Sequence, residues 1–375
     1  IETATNKIVA GCPGTVIPST VKTIGYESFW GNGTNDIYFL TIPNTVEKIE
    51  QWAFESQTNL RSLTIGSGVT EIGPGAFLNC SNLRHIHSLV QFPFDIDENV
   101  FPSSVYENAI LHVPVSSKLN YQGATGWSKF ENIVEVSGDG PFDGDVFAEA
   151  NAEGKELVYQ ILSAKEKTCD VVGCKGTLSG ALSIPSTANG FSVISIGQKA
   201  FSDDTEITSL NIPEGVTTIN SYAFSGCNGI SSLHLPSTLK AIHARAFSKI
   251  SITLLDIPAA VDSINATAFA DCTSLECITV DAGNTKYDSR DNCNAIIETA
   301  TNTLVVGCKD TTIPNTVTTI GIGAFNGQTA LTNILIPSSV TAINSYAFYL
   351  SGLTAITIPE SVTSIDAYAF RSCND

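Results

Sequence analysis

From residue 207 the chain reads Ile-Thr-Ser-Leu-Asn-Ile-Pro, with apolar Leu210 and Ile212 alternating with polar Ser209 and Asn211. Alternation of period two marks a strand with one face buried and the other in water. Pro213 follows; it has no N–H to give to a ladder, so it belongs at the strand's exit. Val216 and Ile219, three apart, then turn apolar side chains to the same interior. Ala223-Phe224 comes next, a small residue that permits close approach and a ring that plugs the coil. This predicts a short helical or 3₁₀ corner.

The same string recurs along the chain. Ala-Phe returns as Ala53-Phe54, Ala76-Phe77, Ala200-Phe201, Ala223-Phe224, Ala246-Phe247, Ala268-Phe269, Ala324-Phe325, Ala347-Phe348 and Ala369-Phe370, with Ser28-Phe29 as a variant. Within a run, successive members lie 22 to 25 residues apart. Eleven residues ahead of the Phe stand Pro18, Pro43, Pro213, Pro236, Pro258, Pro314, Pro337 and Pro359, with Gly66 once in the same slot. The unit is LxxLxIPxxVxxIxxxAFxxC. One such unit cannot bury its own apolar face, whereas stacked copies share one continuous core, so the period predicts a solenoid.

Segments such as Leu210-Asn-Ile-Pro-Glu-Gly-Val216-Thr-Thr-Ile219-Asn-Ser-Tyr-Ala-Phe224-Ser-Gly-Cys227 resemble the BspA-type bacterial leucine-rich repeat, and the likeness covers most of residues 1 to 90 and 180 to 375. The resemblance implies an α/β leucine-rich-repeat β-solenoid. It also implies secretion or surface display by bacteria, a role in adhesion or protein binding, and no enzymatic activity.

Departures from the repeat set the expected boundaries. Between residues 84 and 136 the pattern decays into one last strand at 110–114, a short helix at 116–121, bulky Trp127 and Phe130, and a closing strand at 133–136. Residues 105–136 are therefore expected to cap a first array, residues 1–136, because a solenoid must cover its open terminal edge. Residues 137–145, rich in Gly, Pro and Asp, read as a linker. Residues 146–375 read as a second array that opens with a hairpin cap and carries a hairpin insertion at about 284–310. Residues 297–325 match residues 1–29 at 18 of 29 positions, and the early copy lacks the hairpin's first strand. Both arrays are thus expected to be truncated, the first at its N-terminus and the second at its C-terminus.

Composition narrows the function. The 375 residues hold 19 Lys+Arg against 37 Asp+Glu, a net charge of −18, and charged residues are only 15 % of the chain. No basic cluster exists to replace the counterions of phosphates, which argues against nucleic acid and against anionic membranes. No apolar run approaches the roughly eighteen residues that span a bilayer. No nucleophile elbow, phosphate loop or HExxH is present, so no catalytic residue and no cofactor is expected.

Of ten cysteines, Cys80, Cys227, Cys272 and Cys373 fall three residues after the repeat Phe, where other coils place Asn32, Gln57, Asp204, Gln328 or Ser351. A slot shared by Cys and small polar residues predicts a buried turn position that satisfies backbone groups. Cys293 and Cys308 would face each other across a hairpin turning near Ala300-Thr301, which makes a disulfide geometrically reasonable. The corresponding partner of Cys12 falls outside the chain, so Cys12 is expected unpaired; Cys169, Cys174 and Cys277 have no assignment. No CxxC or CxxH spacing points to zinc. His85 and His87 share one strand face without an evident third ligand, and are expected as polar residues of an exposed face. Asp139, Asp143 and Asp145, and Asp95, Asp97 and Glu98, match no calcium loop and read as solvated acids.

If Leu210 and Ile212 point inward, their neighbours face out. The candidate ligand face is then Phe39, Thr41, Ser62, Thr64, His85, His87, Ser209, Asn211, His234, Leu254, Asp256, Asn333 and Leu335. Such a face suits an extended protein partner, for example a host extracellular or matrix protein. A spacer without its own ligand is the alternative, and carbohydrate capture, which wants exposed aromatics in rows, is a third.

Overall fold

The structure is a computed structural model that describes residues 2, 6–11, 17–31, 37–137, 141 and 143–373. Its contacts divide the chain into two units, residues 1–147 with 160–166, and residues 148–159 with 167–375.

In the first unit the coils contribute strands to two rows, and the coils that start at Phe39 and Ser62 contribute one to each. The longer ones, Phe39–Ile42, Ser62–Ile65, His85–Ser88, Ile110–Pro114 and Asn132–Val136, form a five-stranded parallel sheet. Its register is in phase from coil to coil, with Leu40, Leu63, Ile86 and Leu111 in one inward row. The second row consists of two-residue strands, Lys7–Ile8, Thr23–Ile24, Lys48–Ile49 and Glu71–Ile72, all parallel. The proline between the two rows ends the long strand and starts a turn. The Val46 amide donates to the Pro43 carbonyl at 3.0 Å, and Val340 to Pro337 at 3.1 Å.

The Ala-Phe corners are not helical. Residues two before and two after the Phe sit in the left-handed region: Trp52 (φ 56°) and Ser56 (62°) around Phe54, Tyr346 (59°) and Leu350 (55°) around Phe348. A left-handed residue breaks the run of i→i−4 bonds, so no helix can propagate through the corner. The amides bond to the next coil instead: Phe54 N–H donates to the Ala76 carbonyl at 2.8 Å, and Phe224 N–H to Ala246 at 2.8 Å. The rings consequently stack in columns. In the first unit Phe29, Phe54, Phe77 and Phe101 lie 4.9 to 5.3 Å apart, and in the second Phe201, Phe224, Phe247 and Phe269 lie 5.2 to 5.5 Å apart. That spacing follows the separation of neighbouring strands, about 4.8 Å.

The slot three residues after the Phe completes this corner. Thiols of Cys80, Cys227, Cys272 and Cys373 donate to the carbonyls of Phe54, Phe201, Phe247 and Phe348, one coil back, at 3.3, 2.9, 3.1 and 3.2 Å. In another coil the Gln57 side-chain amide donates to the Phe29 carbonyl. Cysteine and glutamine share the slot because each can supply a donor to a buried carbonyl, whereas Asp204 in the same slot accepts from backbone amides.

Beyond the strand His85–Ser88, helices Ser103–Asn108 and Lys118–Gly123 and the 3₁₀ turn Trp127–Lys129 surround buried Phe101, Tyr106, Trp127 and Phe130. Tyr121 Oη donates to Ser88 Oγ at 2.6 Å and Trp127 Nε1 to the Phe94 carbonyl at 2.8 Å, so both rings are buried without stranding a polar atom.

In the second unit Thr168–Cys174 pairs in parallel with Phe191–Ile196, which leads into the short strands Thr218–Ile219, Ala241–Ile242 and Ser263–Ile264. The long strands are Gly180–Ser183, Ile207–Asn211 and Ser232–His234 in one sheet, and Leu254–Ile257 with Cys277–Val280 in another. A hairpin, Ala295–Glu298 with Thr303–Gly307, then interrupts the coils, and its second strand continues in parallel into Thr319–Ile320. The antiparallel pairing Glu298↔Thr303 has its copy in the bridge Glu2↔Lys7, as the match between residues 297–325 and 1–29 requires.

The expected Cys293–Cys308 disulfide is absent; both thiols are free and buried. Near the turn, Glu298 faces Thr303, and that register, continued, would have set Cys293 opposite Cys308. A β-bulge between Ile296 and Ile297 shifts it by one residue, so that Ala295 faces Gly307. The Cys308 thiol therefore donates to the Asn294 carbonyl at 3.4 Å, and Cys293 to Ala295 at 3.7 Å. Cys12 and Asp139 lie outside the described residues.

Candidate ligand-binding face

The outward rows of the two units differ in what they offer. In the first unit Phe39, Ser62 and His85 share one row, and Thr41, Thr64, His87 and His112 the next. Thr41 is exposed and Phe39, Thr64 and His85 are half-buried, but Ser62 and His87 are buried, against the expectation of an open face. The cause is a ladder of imidazoles under a cover. His87 and His112 stack at 4.3 Å between ring centres, His85 and His112 at 5.6 Å, and His85 Nδ1 lies 3.2 Å from His112 Nε2.

Asp145 reaches over this ladder and pairs with His87, Oδ1 to Nε2, at 2.7 Å. Gly144 (φ 87°) lies so close to the His85 ring that a Cβ there would fall 2.0 Å from its Nε2, which excludes any side chain. Burial, followed by the charges of the other two imidazoles, pushes the His112 pKa down to about 4, and burial also lowers that of His85. His112 escaped the sequence reading although the alternation Ile110-Leu111-His112-Val113 places it in the outward row. Asp145 escaped because a Gly- and Asp-rich stretch reads as solvated linker.

The second unit presents an open face. Asn211, His234, Leu254 and Asp256 are exposed and Ser209 is half-buried, with Ser209 beside Ser232, Asn211 beside His234, and Asp256 beside Thr279. His234 and Asp256 line a cleft of about 420 Å³ together with Glu214, Ser237, Thr279 and Asp281. The Thr279 hydroxyl donates to Asp256, and the Ser237 amide and hydroxyl donate to Glu214 at 2.9 Å each, which holds the Glu214 carboxyl below its ordinary pKa. Glu214 and Ser237 follow the repeat prolines Pro213 and Pro236, so the cleft extends past the strand ends into the turns. That column was legible as the residue after each proline. Asn333 and Leu335 are exposed, Leu335 to 80 %, on an extended stretch that belongs to no strand.

The cleft offers carboxylates, hydroxyls and an imidazole, and exposed Leu254 lies two residues from its Asp256 on the same strand, which suits polar and apolar contacts with a partner. Among the described residues no group of three or more His, Cys, Asp or Glu is arranged to hold a metal ion, and no helix is long and apolar enough to cross a membrane.

Coils that pair strand to strand and ring to ring define a parallel solenoid of leucine-rich-repeat type. The chain belongs to the BspA type leucine rich repeat family, whose repeat region matches in 6 copies over residues 12–121, 194–303 and 296–375. No curated protein matches the chain. Among solved structures it is similar to a leucine rich cell surface protein of Faecalibacterium prausnitzii, with 23 % identity over 89 % of this chain and 70 % of that one and a TM-score of 0.38. A leucine-rich repeat protein of Bacteroides ovatus gives 20 % identity, 94 % and 80 % coverage and 0.37. The pneumococcal vaccine antigen PcpA gives 13 %, 100 % and 89 %, and 0.33.

Proposed function

We propose that the protein is a non-enzymatic solenoid, displayed on or secreted from a bacterial cell, whose second array binds a protein partner along its sheet face. The observation that carries this is the open face around the cleft, where Asn211, His234, Leu254 and Asp256 stand exposed in adjacent rows. Leu254, 49 % exposed and two residues from Asp256 on the same strand, supplies the apolar contact that binding patches concentrate at their centre. The first array contributes less, since Ser62 and His87 are buried. A host extracellular or matrix protein is the class of partner we propose, because a regular polar sheet suits an extended ligand held by many modest contacts.

The test is surface plasmon resonance of the chain over immobilised matrix proteins and glycans. Binding is expected to weaken about tenfold or more in His234→Ala/Leu254→Ala/Asp256→Ala and to persist in Phe39→Ala. Unaltered binding by the triple variant would place the interaction elsewhere. Absence of binding to every immobilised protein would favour the spacer.

A further inference from the structure

We infer that residues 143–145 form an acid-released latch: at neutral pH Gly144 and Asp145 lie on the imidazoles of His85, His87 and His112, and acidification lifts them away. The geometry is that of a fitted cover. His87 and His112 keep only 3 % and 7 % of their surface exposed, although both occupy the outward row of the sheet. The cover is anchored on its other side, where Gly144 N–H donates to the Ile161 carbonyl at 2.7 Å and Ile161 N–H returns a bond to Asp145 at 2.8 Å. Asp143 accepts from the Ala164 amide at 2.6 Å.

The charged groups that face the ladder pull in two directions. Asp143 and Asp145 come from the cover and favour protonated imidazoles, while Arg84, next to His85, and the imidazoles themselves oppose it. His87 Nε2 and Asp145 Oδ1 lie 2.7 Å apart. The His85 and His112 rings stack in the same ladder, so protonating them brings like charges together at close range. Burial outweighs the two carboxylates for both residues.

The sign follows. A histidine whose pKa is depressed under the cover stabilises the covered state fully above the pKa of a free imidazole, about 6.5, and that stabilisation is lost as pH falls below it. With His112 held at about 4, its titration alone shifts the covered-to-open ratio by about twentyfold between pH 7 and pH 5 if opening restores the free value. At neutral pH the cover withholds the histidines from any partner of the first array's sheet.

Hydrogen exchange of the whole chain tests this. Corrected for intrinsic rates, exchange at the Gly144 and Ile161 amides is expected to rise about tenfold or more from about pH 7 to about pH 5, with Phe39–Ile42 unchanged. His85→Gln/His112→Gln is expected to remove that pH dependence, and Gly144→Ala to exchange fast at both values. Equal protection of Gly144 at the two pH values, or an undiminished response in the double variant, overturns the latch. Should the double variant lose protection in Phe39–Ile42, imidazole NMR of the unaltered chain decides: His112 titrating well below 6.5 supports the latch, and a midpoint at about 6.5 overturns it.

Discussion

Phe224 stands between Phe201 and Phe247 with no exposed surface, and its own amide is bonded to the next coil. Truncation removes two stacking partners and leaves a cavity that the rigid coil cannot close. Phe224→Ala is expected to cost about 3–5 kcal/mol in denaturant unfolding, while Leu335→Ala, at a side chain 80 % exposed, should change stability by less than about 0.5 kcal/mol. Equal effects would contradict the assignment of inward and outward rows. The cysteines of the corner slot make a chemical prediction. Burial pushes Cys80, Cys227 and Cys272 up to about 12 from 9.0, roughly a thousandfold loss of thiolate at a given pH. These three should resist alkylation at about pH 8 until the chain is unfolded, as peptide mass mapping would show. The same map should recover Cys293 and Cys308 as free thiols, and a peptide pair joined through them would refute the bulged register.

The coil was legible as an element from its period alone, because alternating Leu and Ile, a closing Pro and a plugging Phe each carry a local signal. Two parts were not. The short strands such as Thr218–Ile219 hold two residues, too few for a period to show, and they exist only through pairing with the coils on either side. The left-handed corner positions are occupied by residues as unlike as Trp52, Lys249 and Asp271, so composition does not betray a backbone imposed by bonds to the next coil. Lys249 (φ 65°) is exposed, while Gly226 and Gly327 fill the same slot elsewhere. Lys249→Gly should therefore hold or raise stability, by up to about 1 kcal/mol, and Lys249→Val should lower it by about 1–2 kcal/mol. A thermal melt in which Val is tolerated as well as Gly would sink that account. The candidate face was only half legible for a related reason: alternation gives the direction of His87, but the distant Gly144 and Asp145 decide whether that direction leads to water.

At the scale of the molecule, charge and periodicity set the behaviour. With a net charge of −18 and a pI near 4.6, the chain should pass an immobilised heparin column unretained at low salt, where electrostatic attraction is least screened. Retention would reveal a basic patch that the sequence does not show. In a solenoid each coil touches only its neighbours, so Phe224→Ala should raise amide exchange most in the coils of Phe201 and Phe247 and little in that of Phe348. A uniform rise would indicate cooperative unfolding of the whole chain. The column of rings has one more consequence. Because neighbouring corners within a run bond and stack on one another in the same way, copying or deleting one unit of 22 to 25 residues leaves the contacts within the others unchanged and moves the two ends of an array apart or together by about 5 Å. Gene duplication can therefore adjust the reach of such an array in fixed increments, as a ruler is lengthened by divisions, without a new core having to evolve.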